Sequence, residues 1–183
     1  LIEASERHQK ALRVCVVDAA GDLSHNAFDP SVPKFDARVV ALNQTSEALL
    51  ARIGIWPNLA ACRVSPYTQM YVWDGEGSAA IHFDAQDARA THLGHIIENG
   101  LIVKTLHNKM RQSTSITFIR DSVQGISLGA GASLQLASGK TLRTSLLVAA
   151  DGARSPLRAM ANIPTREWDY GHSAIVTTVK TQL

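Results

Sequence analysis

The sequence predicts a mixed α/β chain (α+β in its mixture) carrying an antiparallel insert, on three observations. Short β-branched runs alternate with stretches of helical period, the pattern of strand–helix–strand units. Pairs of short runs are parted by turn-rich connections, which reads as hairpins. The 183 residues are 45% hydrophobic and 19% charged, an ordinary globular composition with enough apolar mass for a core and unlike a disordered chain.

Along the chain, residues 1–12 suit the end of a helix, with Leu1, Ala4, Ala11 and Leu12 as a thin apolar stripe. Residues 13–18 form a β-branched run closed by an acid, which predicts a buried strand. A polar loop holding Gly21, Pro30 and Pro33 fills 19–36. A helix follows, starting near Thr45 or Ser46, with Leu49, Leu50 and Ile53 on one face and Gly54 as its C-terminal stop. Residues 69–73 and 79–83 flank Asp74-Gly75-Glu76-Gly77-Ser78 as a hairpin. Helical period returns over 99–112 through Leu101, Ile102, Thr105, Leu106 and Met110. Short strands are expected at 115–119, 123–128, 132–136 and 141–142, then a buried strand at 146–150 and another at 174–179. No internal repeat, low-complexity tract or linker is visible.

The formal charge of +2, with both signs interspersed, gives no field that would draw nucleic acid or an anionic membrane. Cys15 and Cys62 lack metal-ligand spacing; Cys15, inside Val14-Cys15-Val16-Val17, reads as a buried thiol, which suits a reducing, cytoplasmic compartment. No apolar stretch approaches the roughly 18 residues needed to span a bilayer, and no signal peptide precedes the first strand. The chain starts without methionine and stops straight after an apolar run, so both ends read as cuts through a longer protein.

Three places are candidates for ligand chemistry. Asp18 closes a strand, where a carboxylate either accepts from both ribose hydroxyls of a dinucleotide or makes a local Asx turn. A glycine-rich loop should lie roughly 20 residues earlier, and counting back runs off the chain. The internal cluster Gly125, Gly129, Gly131 lies between two strands with no helix after it, so it reads as a hairpin turn. Arg38, opening Arg38-Val39-Val40-Ala41-Leu42, is either a surface arginine or a planar donor for pyrophosphate. The strongest pattern is Leu146-Leu147-Val148-Ala149-Ala150-Asp151-Gly152-Ala153-Arg154-Ser155-Pro156 with Arg158. Its strand would deliver Asp151 to the crevice at strand ends, Gly152 would let backbone approach a ligand, and Ser155 with Pro156 would start a short helix.

The stretch from Ala150 to Ser155 with Arg158 resembles the Asp-Gly motif of the flavoprotein aromatic hydroxylases, the group typified by para-hydroxybenzoate hydroxylase. Val16-Val17-Asp18 is similar to that family's second strand, whose acid holds the FAD adenosine ribose. Arg38 with Leu42 resembles the segment whose arginine contacts FAD, and Asn99 stands where relatives carry a residue facing the flavin. Ile53-Gly54-Ile55-Trp56, Gly94-His95-Ile96-Ile97-Glu98-Asn99 and Tyr170-Gly171-His172-Ser173-Ala174-Ile175-Val176 resemble the ubiquinone-biosynthesis branch.

The resemblance implies a truncated Rossmann-like FAD-binding domain with an antiparallel β-sheet portion of a substrate domain. Residues 1–66 would be FAD-binding domain, 67–92 the start of the substrate sheet, 93–160 FAD-binding domain again and 161–183 the sheet's continuation. It also implies a monooxygenase that uses FAD, NAD(P)H and O2 to hydroxylate a small aromatic substrate bearing a polyprenyl tail. Asp18, Arg38, Asn99, Asp151 and Gly152 would bind cofactor, and no acid–base catalyst is named. A greasy substrate implies a place at the periphery of the inner membrane or in a multi-enzyme quinone-biosynthesis complex, with a homo-oligomer left open. The first strand, its glycine-rich loop and the later Gly-Asp segment are missing, and Asp18 replaces the commoner Glu, so the piece itself is expected to hold FAD poorly and to be inactive. Two alternatives stay open: a flavin hydroxylase of small soluble aromatics, and a non-catalytic binding or assembly module.

No metal site is expected. The seven histidines form no ligand-spaced pair with a carboxylate on one helix face, and His92 and His95 read as structural or surface residues. Trp56, Trp73 and Trp168 read as core or boundary residues, and no G-x-S-x-G elbow exposes a serine nucleophile.

Overall fold

The computed structural model describes residues 12–20 and 35–182. All but Leu12 of the helix end expected at 1–12 and most of the loop at 19–36 therefore lie outside the described residues. The chain divides into two compact units, one of residues 1–22 with 114–174, the other of 23–113 with 175–183.

Strand β1 (Val14–Val17) opens the first unit. The chain then builds the second unit with β2 (Val39–Asn43), α1 (Gln44–Arg52), α2 (Trp56–Ala60) and β3 (Val64–Tyr67). A hairpin follows, β4 (Gln69–Trp73) and β5 (Ala80–Asp84), then β6 (Gly94–Glu98) and α3 (Asn99–Arg111). Back in the first unit come β7 (Ile116–Ile119), β8 (Val123–Leu128), β9 (Ala132–Leu136), β10 (Thr141–Thr144) and α4 (Pro156–Met160).

In the second unit β6 is the central strand, flanked antiparallel by β2 and β3 with Ile97 opposite both Val40 and Val64. Helices α1, α2 and α3 cover this sheet, and Ile55, Leu59, Ile97 and Leu101 form the buried core, with Leu42, Leu50, Ile53, Trp56, Val64, Ile102 and Leu106 packed around them. Helix α1 begins where expected because the Asn43 side chain accepts the Ser46 N–H at 2.9 Å, satisfying one of the orphan donors of the first turn. It ends at Gly54, whose φ of +75° is the left-handed conformation that glycine adopts at least cost. At Gly94 a Cβ would collide with the Leu42 carbonyl oxygen, so the close approach of β2 to β6 needs a glycine there.

In the first unit β1 and β7 pair in parallel, Val14 opposite Ile116, and β8, β9 and β10 form an antiparallel meander. The turn between β8 and β9 closes with Gly129 N–H on the Gly131 carbonyl, so the glycine cluster is a hairpin, as the sequence suggested.

Several expectations are corrected. Residues 146–150 and 174–179 are not strands. Leu146 and Val148 are 64% and 60% exposed, and Ile175, Val176 and Val179 are more exposed still. An apolar run specifies burial but not a partner, and among the described residues no strand lies alongside to complete either ladder. Cys15 is exposed rather than buried, on the face of β1 opposite Val14 and Val16, although what burial its thiol has pushes its pKa up. Trp56 packs on the core, whereas Trp73 and Trp168 are both 66% exposed.

Candidate functional site

The expected cofactor residues fall on three surfaces. In the second unit, Arg38 and Asn99 meet at the open end of the β2–β6 ladder, where the Asn99 N–H donates to the Arg38 carbonyl at 2.9 Å. Neither the Arg38 guanidinium nor the Asn99 amide has a partner among the described residues. Both are held in place by their backbones instead.

The holder is a carboxylate network that the sequence pattern did not reveal. Asp36 accepts the Arg38 N–H on Oδ1 at 2.9 Å and the Gly100 N–H on Oδ2 at 3.1 Å, joining the approach to β2 to the first turn of α3. Its carboxylate thus takes the positive end of that helix, where an anion would otherwise bind. The Asp36 N–H in turn donates to Glu98 Oε1 at 2.6 Å. Glu98, 3% exposed, also faces Arg63: Nη2 donates to Oε1 at 3.2 Å, and Nε lies 2.9 Å from Oε2 at an angle too poor for a hydrogen bond. The guanidinium of Arg63 sits 4.6 Å above the Phe35 ring. A buried carboxylate persists only when paired and hydrogen-bonded, and Glu98 is both.

On the first unit, Asp18 follows β1 directly and is held in the ladder, its N–H on the Ile119 carbonyl at 3.1 Å. Its Oδ1 accepts the Ala20 N–H at 2.8 Å, an Asx turn. The local-turn reading is therefore realised. A carboxylate still offers further acceptor sites, here at the carboxyl end of a parallel strand.

The Asp-Gly stretch folds into a box around the start of α4. Ser155 Oγ donates to Asp151 Oδ1 and accepts the Arg158 N–H at 3.0 Å, and Asp151 Oδ2 accepts the Leu157 N–H at 3.0 Å. The Ser155 hydroxyl holds the Asp151 carboxyl below its ordinary value against the opposing effect of burial, aided by the Leu157 amide and the Arg158 charge. Arg158 turns back to donate to the Ala153 carbonyl at 2.8 Å. Gly152 has φ of +84°, and among the described residues no atom beyond its chain neighbours lies within 4 Å of where its Cβ would be, so its backbone is open to a ligand. Asp151 is a cap first, with its carboxylate largely spent on α4. The short helix and its Ser155 cap are as the sequence predicted, whereas the strand leading in is absent.

No protein-family model matches the chain. Among curated proteins it is 30% identical to ubiquinone biosynthesis monooxygenase COQ6 of Xenopus tropicalis, over 96% of this chain and 39% of that protein. It is 31% identical to 3-demethoxyubiquinol 3-hydroxylase of Escherichia coli, over 79% of this chain and 37% of the relative. Over most of its length the chain is thus similar to part of the ubiquinone-biosynthesis monooxygenases. The chain spans less than half the length of these relatives.

Solved structures share the fold. Against p-nitrophenol 4-monooxygenase PnpA of Pseudomonas putida the TM-score is 0.58 at 18% identity, covering 82% of this chain and 43% of that one. Against the flavin-dependent monooxygenase PieE it is 0.55 at 16%, covering 82% and 32%. At such identities the likeness concerns the fold, and the mixed α/β architecture with antiparallel sheets described above agrees with it.

Proposed function

We propose that this chain is part of an FAD-dependent monooxygenase that hydroxylates the aromatic ring of a polyprenylated phenol in ubiquinone biosynthesis, using NAD(P)H and O2. The observation that carries the reading is the match, over 96% of the chain, to a relative named for a ubiquinone-biosynthesis monooxygenase. The E. coli relative, named a 3-hydroxylase of a demethoxyubiquinol, supports the ring as the site of oxidation.

The donor set suits FAD. Bound FAD would supply the redox chemistry, taking reducing equivalents from NAD(P)H and activating oxygen. The chain's own residues would bind and orient it. Asp18 would accept from the ribose hydroxyls on the oxygen sites left by its Asx turn. The guanidinium of Arg38 would pair with pyrophosphate as a planar two-point donor. The Asn99 amide, set beside Arg38 by their shared backbone bond, would face the flavin side. Gly152 would let the backbone of the Asp151 turn lie against the cofactor, with Asp151 fixing that turn. On this reading residues 1–66 and 93–160 belong to the FAD-binding domain and 67–92 and 161–183 to the substrate sheet.

A polyprenyl tail would have to be drawn from a lipid phase. No helix among the described residues is long and apolar enough to cross a membrane. The tail is the reason to place contact with lipid, or with a multi-enzyme complex that hands the substrate on, at the membrane's periphery.

The test is an absorbance spectrum of the protein at its relatives' full length, scanned for oxidised-flavin bands, with Asp18→Ala and Arg38→Ala alongside. Each variant removes a charged hydrogen-bonding group, so FAD affinity should fall about tenfold or more. A colourless full-length protein that also ignores added FAD would overturn the proposal. Wild-type affinity in both variants would remove these residues from the site.

A further inference from the structure

Away from the surfaces just described, the second unit brings Glu47, His92 and His95 to one point. Glu47 lies in the first turn of α1, His95 is the second residue of β6, and His92 sits in the loop leading to that strand. One oxygen, Glu47 Oε2, is 2.9 Å from His92 Nε2 and 3.1 Å from His95 Nδ1. One donor atom from each residue falls within 4.8 Å of the other two. The side chains are 21%, 20% and 14% exposed for Glu47, His92 and His95, so the point is shielded yet reachable.

The surroundings hold the three in place. Thr91 Oγ1 lies 2.8 Å from His92 Nδ1, giving that ring nitrogen its own partner and turning Nε2 toward the carboxylate. Gln44 Nε2 donates to the His92 carbonyl at 2.7 Å, tying the loop to the start of α1. The Trp56 ring meets His95 edge-on at 5.0 Å, and the two imidazoles pack at 4.4 Å between centroids.

We propose that Glu47, His92 and His95 form a binding site for a divalent transition-metal ion of the zinc type, with water completing its coordination. Two imidazoles and one carboxylate are a donor set that zinc takes with three protein ligands and an open position. Tetrahedral bonds of about 2.0–2.1 Å put neighbouring ligand atoms roughly 3.3 Å apart. The gaps of 2.9 and 3.1 Å need to open by only a few tenths of an ångström. The Thr91 contact to the remote nitrogen of His92 is the outer-shell partner that fixes a ligating imidazole. An ion here would pin the start of α1 to the edge of β6, a structural role separate from cofactor chemistry.

The test is a titration of the chelator-treated chain with Co²⁺, read in the visible d–d bands and then competed with Zn²⁺. The expected result is saturation at one equivalent and loss of the bands on adding Zn²⁺. Glu47→Gln and His92→Ala should each weaken binding by at least about tenfold. His82→Ala, on the exposed face of β5, should leave it unchanged. Far-UV circular dichroism confirms that the variants fold, and Glu47→Gln keeps the side chain's shape and one of its acceptors. Absence of one-equivalent saturation would overturn the site and leave a purely hydrogen-bonded trio. Unchanged affinity in the folded Glu47→Gln and His92→Ala proteins would overturn it too, assigning the signal to other histidines.

Discussion

Replacing Glu98 with alanine tests whether its buried ion pair holds the second unit together. The carboxylate is 3% exposed and accepts from the Asp36 amide at 2.6 Å and Arg63 Nη2 at 3.2 Å, with Arg63 Nε 2.9 Å from its other oxygen. Removing one partner of a buried pair costs about 3–5 kcal/mol. The Arg63 side chain is 22% exposed and lies over Phe35, so water recovers part of its charge. That places Glu98→Ala at the low end, about 3 kcal/mol. The helix start contributes little to this figure, because the Glu98 side chain makes no cap bond to α3. With a urea slope of about 2 kcal/mol per molar, the unfolding midpoint should fall by about 1.5 M. Fluorescence of Trp56, packed on the core, is the natural readout, since Trp73 and Trp168 are exposed. Glu98→Gln keeps the shape and one acceptor and should lose roughly half as much. A midpoint shift below about 0.3 M at unchanged slope would refute the reasoning, because desolvation of the carboxylate would then cancel everything its bonds contribute.

The other expectations are local. Gly94→Ala drives a methyl into the Leu42 carbonyl and to 2.8 Å from the Tyr67 hydroxyl, and backbone cannot swing aside. A loss of about 2–3 kcal/mol in the same urea assay is expected, and a neutral result would mean that β2 and β6 separate freely. Ser155→Ala removes the cap of α4 and should cost about 1 kcal/mol, seen as faster hydrogen exchange at the Arg158 amide. Because the folded Asp151 carboxyl titrates below its ordinary 3.8, its contribution to that turn is complete above this value and fades as pH falls through the folded value. Leu157 amide exchange, corrected for intrinsic rates, should therefore quicken in that acidic window, and a flat profile would contradict the assignment.

What the sequence disclosed follows from where each signal resides. Local signals were legible: the hairpin β4–β5 from its Asp-Gly-rich turn, α3 from its period, α4 from Ser155 and Pro156, and the Gly125–Gly131 decoy as a turn. Strands β2, β3 and β6 went unread because each lies tight against a helix or hairpin, where short apolar runs do not separate strand from helix. The runs at 146–150 and 174–179 misled for the opposite reason, being strand-like in composition while pairing is a property of the fold. Arg38 and Asn99 were named singly, but their meeting is a register fact, set by Val39 opposite Glu98. Asp36 and Arg63 carried no signal and Glu98 stood only within the Gly94–Asn99 run, since a network joined across 62 and 35 positions has no spacing to recognise. The same holds for Glu47 with His92, 45 positions apart.

The parallel pairing of Val14–Val17 with Ile116–Ile119 has a consequence for synthesis on the ribosome. Strand β1 meets β7 only about a hundred residues after it emerges, a wait of roughly 5–20 s at ordinary translation rates. Meanwhile the whole of β2 to α3 emerges and can close its own core of Ile55, Leu59, Ile97 and Leu101. The pairing of β1 with β7 therefore closes only after the core of the second unit can form. In that window a nascent-chain chaperone has most to protect.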